Sequence, residues 1–127
     1  MRILDSDTCI EILRGNARVV ARREETADIV ATTWITACEL FYSAAKSKDP
    51  TAARARVIAF LETIPVLDQS PEAAQFFGHE KARLEAEGRR LADADLMISG
   101  IVLAQRAILI TGNTKHYDRI DGIVIED

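Results

Sequence analysis

Short apolar runs alternate along this chain with longer segments whose apolar residues recur at helical spacing. The short runs predict strands, and these cover residues 3–4, 29–32, 65–67, 107–111 and 122–125. The longer segments predict helices, which cover residues 6–14, 16–27, 35–46, 49–64, 70–88 and 93–106. Two helix starts are marked by a capping residue followed by proline, at Asp49-Pro50 and Ser70-Pro71.

This alternation of strands and helices predicts an α/β fold with a mainly parallel sheet. The segment 35–64 departs from it, because two predicted helices follow each other there without a strand between them. The chain has 127 residues, a length that predicts one domain spanning 1–127. Its 48% hydrophobic and 28% charged residues exclude a disordered chain.

Targeting and redox features are sparse. No apolar run approaches the ~18 residues of a membrane helix, and Asp5 interrupts any signal-peptide core, so we expect a cytoplasmic protein with no membrane partner. Cys9 and Cys38 both lie in apolar stretches, which predicts buried free thiols and no disulfide.

The net charge of −4 is not typical of a nucleic-acid-binding protein. A local basic stripe is nevertheless present, because Arg14, Arg18 and Arg22 recur every four residues and are predicted to share one helix face. Such a face could contact nucleic-acid phosphates or a protein partner, or could simply be solvated.

Four polar residues stand where chemistry is expected. Asp5 follows the first predicted strand and Asn113 follows the strand ending at Thr111, so both belong to the sheet edge where α/β proteins bind ligands. Glu39 and Asp95 lie in apolar helical segments, where an isolated carboxylate must be paired, protonated or bound to a metal. Carboxylates that converge on one edge would suit Mg²⁺ or Mn²⁺. Each residue alone could equally be a cap, a turn residue or a solvated side chain.

The order of these motifs closely resembles that of PIN-domain ribonucleases, in particular VapC-type toxins of toxin–antitoxin pairs. The resemblance covers nearly the whole chain, and the two successive helices at 35–64 also match the PIN fold. The motifs that carry it are Leu4-Asp5-Ser6, Thr36-Ala37-Cys38-Glu39-Leu40, Asp95-Leu96-Met97-Ile98-Ser99-Gly100 and Thr111-Gly112-Asn113-Thr114.

The resemblance implies a three-layer α/β sandwich with about four to five strands. It also implies a metal-dependent endoribonuclease that hydrolyses phosphodiester bonds in RNA and forms a homodimer, with a cognate antitoxin as partner. Asp5 and Asp95 match the family's direct ligands for Mg²⁺ or Mn²⁺, and Glu39 matches an acid that ligates directly or through water.

The remaining site positions also follow from the resemblance. Asn113 matches the fourth site position, and Ser6 and Thr111 match supporting hydroxyl residues. His116 stands where many relatives carry another acid, which leaves a second metal open. Asp7 is a further polar residue beside the site, without an assigned role.

Three alternatives remain at the level of sequence. A receiver-type phosphoacceptor module could use Asp5 with Asp7, Asp68, Thr111 and Lys115, although its acid pair is not adjacent here. A haloacid-dehalogenase-like phosphatase would use the Asp5-Ser6-Asp7 start, but its downstream motifs are missing. A PIN-fold protein that binds RNA or a partner without cutting is the third alternative.

Overall fold

Five short strands form one sheet whose neighbouring strands are all parallel. The computed structural model describes all 127 residues, and the sheet order is β3-β2-β1-β4-β5. The strands are β1 (Arg2–Leu4), β2 (Val30–Thr33), β3 (Val66–Leu67), β4 (Ile108–Ile110) and β5 (Val124–Glu126). The predicted parallel α/β architecture is therefore confirmed, with the first strand at the centre of the sheet.

Seven helices connect these strands, and six of them match the predicted segments. The helices are α1 (Ser6–Leu13), α2 (Ala17–Glu25), α3 (Trp34–Ala45), α4 (Pro50–Leu61), α5 (Pro71–Ala86), α6 (Asp93–Gln105) and α7 (Thr114–Tyr117). The side chains of Asp49 and Ser70 cap α4 and α5 as their sequence signals predict. The short helix α7 is not among the predicted elements. None of the seven helices is long and apolar enough to cross a membrane.

The two faces of the sheet are covered by separate core clusters, which makes the fold a three-layer sandwich. Ile3 and Leu4 are adjacent in β1 and therefore point to opposite faces. Ile3 packs with Leu109 and the apolar side of α6, while Leu4 packs with residues of α1, α3 and α4. The helix pair α3–α4 lies between β2 and β3 in the chain, so the expectation of two successive helices is also confirmed.

One of the two predicted buried cysteines is exposed. Cys9 is buried and Cys38 is exposed, and both are free thiols. The buried positions of α3 are Ile35, Thr36, Leu40 and Ala44, so Cys38 falls on the opposite side of the helix. The prediction for Cys38 was wrong because an apolar stretch contains both helix faces.

The predicted arginine stripe is also divided by the fold. Arg14 is the C-cap of α1, and Gly15 follows it with a φ of 74°, which ends that helix. Asn16 then caps α2, which carries Arg18 and Arg22. The prediction that all three arginines share one helix face was therefore wrong, because the regular spacing crosses a break between two helices.

Candidate active site

Asp5 lies at the carboxyl end of the central strand and is 3% exposed. Its Oδ1 atom accepts a hydrogen bond of 2.9 Å from the backbone N–H of Thr8, so the side chain caps α1. Burial raises the pKa of Asp5, and hydrogen bonds from Thr111 and Thr8 partly oppose this rise. The fold thus keeps a carboxylate at a buried helix N-terminus beside Thr111.

Glu39 lies on α3 and is half-buried, facing the start of α1. The Ser6 hydroxyl donates a 2.5 Å hydrogen bond to its Oε1 atom, and Ser6 Oγ also lies 3.4 Å from the Thr36 hydroxyl. Ser6 directly follows Asp5 in the chain. The Ser6 hydroxyl therefore connects the end of β1 to Glu39 on α3.

Asp95 lies in the first turn of α6, and both of its carboxylate oxygens have partners on α7. His116 Nε2 lies 2.6 Å from Oδ2, and the Tyr117 hydroxyl donates a 3.0 Å hydrogen bond to Oδ1. Sequence reasoning noted His116 and missed the role of Tyr117. A four-residue helix is too short to show periodicity, so the only available signal was a histidine–tyrosine pair beside Asn113.

The buried hydroxyl of Tyr117 binds Asp95 and also experiences the charges of Asp5 and Glu39. Burial is the largest cause that raises the pKa of this phenol, and the negative charges of Asp95, Asp5 and Glu39 raise it further. Carboxylates from opposite halves of the sequence thus lie in one region of the fold.

Asn113 and Thr111 complete this edge of the sheet. The Thr111 hydroxyl is buried and accepts a 3.0 Å hydrogen bond from the backbone N–H of Asn113. The Asn113 side chain is exposed and caps α7 without a side-chain hydrogen bond, so its amide is free to bind a ligand. Asp7 is exposed, one residue beyond Ser6.

The chemistry of this donor set fits a divalent cation. Asp5, Glu39 and Asp95 have no lysine or arginine within ion-pair distance, and only His116 contacts one of them as a potential cation. Three carboxylates without a lysine or arginine partner suit Mg²⁺ or Mn²⁺. In this conformation their oxygens bind Ser6, Thr8, His116 and Tyr117, and no three acidic, histidine or cysteine side chains are close enough to share an ion.

A groove of about 420 Å³ runs from this edge along one face of the sheet. Leu4, Val30 and Ile110 form its apolar floor, and Thr8 and Thr111 connect it to Asp5. Its rim is lined by residues of both charges. The basic residues are Arg2, Arg18, Arg22 and Arg23, and the acidic residues are Asp7, Glu11, Glu126 and Asp127.

Two of the three predicted contact arginines belong to this rim. Arg18 lines the groove without an ion-pair partner, and Arg22 pairs with Glu126 at 3.0 Å. Arg14 pairs with Glu11 at 3.5 Å and does not line the groove. The groove is therefore amphipathic and of mixed charge rather than uniformly basic.

Comparison with known proteins identifies the family that this fold and site define. The family model for the PIN domain matches residues 2–123. The chain belongs to the PIN-domain family, as its motifs predicted.

Its relatives within that family are VapC proteins. It is 32% identical to the tRNA(fMet)-specific endonuclease VapC of Shigella flexneri and 28% identical to the ribonuclease VapC2 of Haemophilus influenzae. Each alignment covers 98% of this chain and 96% of the relative. The solved structure of DNA-bound VapBC from Salmonella typhimurium matches with a TM-score of 0.93 and 31% identity, over 99% of this chain and 96% of that one. The resemblance to VapC-type toxins is thereby confirmed.

Proposed function

We propose that this protein is a metal-dependent endoribonuclease and the toxin of a toxin–antitoxin pair, built as a single domain over 1–127. The observation that carries the proposal is that Asp5, Glu39 and Asp95 are held by hydrogen bonds at the carboxyl edge of the sheet, with no lysine or arginine within ion-pair distance to neutralise them. The VapC relatives, named as ribonucleases or endonucleases, support RNA cleavage. A phosphoacceptor module or a phosphomonoesterase is disfavoured by the same family match.

The three acids have different roles in phosphodiester hydrolysis. Asp5 and Asp95 would hold Mg²⁺ or Mn²⁺, and Glu39 would ligate it directly or through water. When bound, the ion lowers the pKa of its water and neutralises charge on the phosphate. Glu39 accepts the proton of the attacking water, and Ser6 fixes the Oε1 atom of that acid. The exposed amide of Asn113 orients a water molecule or a phosphate oxygen.

The proposed partners are RNA, a cognate antitoxin and a second copy of the chain. The structural neighbours include VapBC complexes from Salmonella typhimurium and Rickettsia felis, which support an antitoxin partner. The apolar floor and mixed rim of the groove suit an amphipathic protein segment, with Arg18 and Arg22 as contact residues. RNA enters at the adjoining edge beside Asp5 and Asn113.

The test is cleavage of a broad pool of cellular RNA by the purified, antitoxin-free protein with Mg²⁺, Mn²⁺ or EDTA. Asp5→Asn and Asp95→Asn keep the size of each side chain and remove its charge, so we expect cutting to fall at least about 100-fold. Asp49→Asn is the matched control, because it replaces an N-cap aspartate at the exposed start of α4.

The control variant should cut like the unmodified protein. Discrete fragments that need metal and disappear in the two site variants would establish the enzyme. A folded protein that cuts no RNA with either metal would overturn the proposal in favour of a PIN-fold binding protein.

A further inference from the structure

Both carboxylate oxygens of Asp95 are held, and the two partners are consecutive residues of α7. His116 Nε2 lies 2.6 Å from Oδ2, and Tyr117 Oη lies 3.0 Å from Oδ1. We propose that His116 and Tyr117 form a clamp, the α7 clamp, that orients Asp95 and thereby sets the affinity of the site for its divalent cation. This inference rests on the proposed function, and it assigns two positioning residues that act through Asp95 and do not contact the reacting atoms.

Tyr117 supplies the fixed point of the α7 clamp. Its side chain is 3% exposed and belongs to the core cluster that contains Ile3 and Leu109. The Tyr117 hydroxyl donates its 3.0 Å hydrogen bond to Asp95 from this buried position. The core thus fixes the direction from which the Asp95 carboxylate is held.

His116 supplies the second point, on the outer side of the carboxylate. The imidazole is half-buried and lies edge-on to the Tyr117 ring, with centroids 5.7 Å apart and planes at 87°. Two donors on different oxygens fix both the position and the plane of a carboxylate, which one donor does not. Partners of this kind orient metal-ligating side chains, and their removal typically weakens metal binding by about 10- to 100-fold.

The segment that follows α7 is fastened to the rest of the fold. Ile120 is buried in a core cluster with Leu84 and Leu96, and the Arg83 guanidinium donates to the Arg119 carbonyl at 2.6 Å. Arg83 in turn binds the buried carboxylate of Glu80. The α7 clamp is therefore held from both sides, by the core through Tyr117 and by α5 through Arg83.

Tyr117→Phe isolates the clamp, because it keeps the buried ring and removes only the hydroxyl. We expect Mn²⁺, titrated calorimetrically into the full-length, antitoxin-free protein, to bind about tenfold more weakly. We also expect kcat for RNA cleavage to fall while KM for RNA is unchanged, since Tyr117 contacts Asp95 and is buried away from RNA. Tyr42→Phe is the matched control, because Tyr42 is the only other tyrosine and is exposed on α3.

His116 provides a second, independent pair of variants. His116→Leu removes the donor and should weaken Mn²⁺ binding to a similar extent, whereas His116→Gln keeps an N–H donor and should restore most of the affinity. This pair decides the question if circular dichroism shows that Tyr117→Phe does not fold. If folded variants at His116 and Tyr117 bind Mn²⁺ as tightly as the unmodified protein, the proposal of the α7 clamp is overturned.

Failure of the proposed function gives a different pattern. In that case the unmodified protein itself binds no Mn²⁺, or Asp95→Asn binds it equally well. Either result removes the basis of the clamp proposal together with the metal site, whereas intact binding with insensitive clamp variants removes the clamp alone.

Discussion

Arg83 donates two hydrogen bonds, of 2.6 and 2.8 Å, to one carboxylate oxygen of Glu80, whose side chain is only 5% exposed. The same guanidinium pairs with Glu87 and Asp121 and binds the Arg119 carbonyl. It therefore connects α5 to the segment between α7 and β5. A buried acid with one basic partner makes the fold sensitive to the loss of that partner.

Replacing Arg83 by leucine should lower the free energy of unfolding by about 3–5 kcal/mol, because Glu80 is then buried without a counter-charge. The double variant Glu80→Leu with Arg83→Leu removes both charges and should recover much of this loss. Urea denaturation of the two variants measures the difference. Equal losses in both would show that the burial of an unpaired acid is not the cause.

Gly100→Ala should lower the free energy of unfolding by about 1–3 kcal/mol through overpacking. A Cβ atom at Gly100 would lie 2.6 Å from the Ala73 carbonyl oxygen, so α5 and α6 would have to separate. Gly78→Ala on α5 is the control, since a Cβ there meets nothing within 4 Å. That variant should gain about 0.5–1 kcal/mol, because alanine favours a helix. Thermal unfolding of both variants gives opposite shifts if the close approach matters.

Arg106→Gly should raise the free energy of unfolding by about 1 kcal/mol. Arg106 ends α6 with a φ of 53°, a left-handed conformation that favours glycine, and its exposed side chain makes no hydrogen bond or ion pair in the structure. Arg106→Ala keeps the strain and should leave stability nearly unchanged. A stabilisation by alanine equal to that by glycine would assign the effect to charge instead.

Glu126→Gln should make stability less dependent on pH. Hydrogen bonds from Arg2 and Arg22 are the largest causes that lower the pKa of Glu126 below its ordinary value of 4.5. The folded protein therefore binds the Glu126 proton less readily than the unfolded chain does. The ion pairs thus stabilise the folded state at pH values above 4.5. This contribution disappears as the pH falls through the lowered pKa.

For these partly exposed ion pairs we expect Glu126→Gln to cost about 0.5–1 kcal/mol at neutral pH and nothing in strong acid. High salt should reduce the neutral-pH difference. Denaturant melts across the acid range measure it, and a difference that persists below the lowered pKa would contradict the electrostatic origin.

Glu39→Gln separates charge from shape at the site. If Glu39 accepts a proton from the attacking water, the Glu39→Gln variant should cut RNA at least about 100-fold more slowly. Ser6→Ala leaves the carboxylate but removes its 2.5 Å hydrogen bond, so we expect a smaller loss, about tenfold. Initial rates on one mapped RNA site compare the two. Unchanged rates in Glu39→Gln would exclude an essential carboxylate there.

The order of elements and the positions of the acids could be predicted from the sequence because each follows from local rules. Asp5 directly follows an apolar run, and Glu39 and Asp95 stand out in apolar helices. The parallel order then places strand ends on one edge. Local patterns therefore located these acids as candidates, and the resemblance of their order to PIN-domain ribonucleases predicted their roles.

The partners of these acids could not be predicted, because they depend on contacts between distant segments. Asp95 binds His116 and Tyr117 from a helix too short to leave a periodic signal. The exposure of Cys38 depends on which face of α3 turns inward. The regular arginine spacing from Arg14 to Arg22 also crosses a helix boundary that spacing alone does not reveal.

The position of α7 along the chain has a consequence for synthesis. The central strand and Asp5 are made well before α6 and α7, and the segment that holds Asp95 is complete only at Tyr117. A nascent chain therefore has isolated acids and no assembled site until nearly all of the described residues have left the ribosome. For a protein proposed to cut RNA, the order of translation thus delays activity until α7 has been made and has left the ribosome.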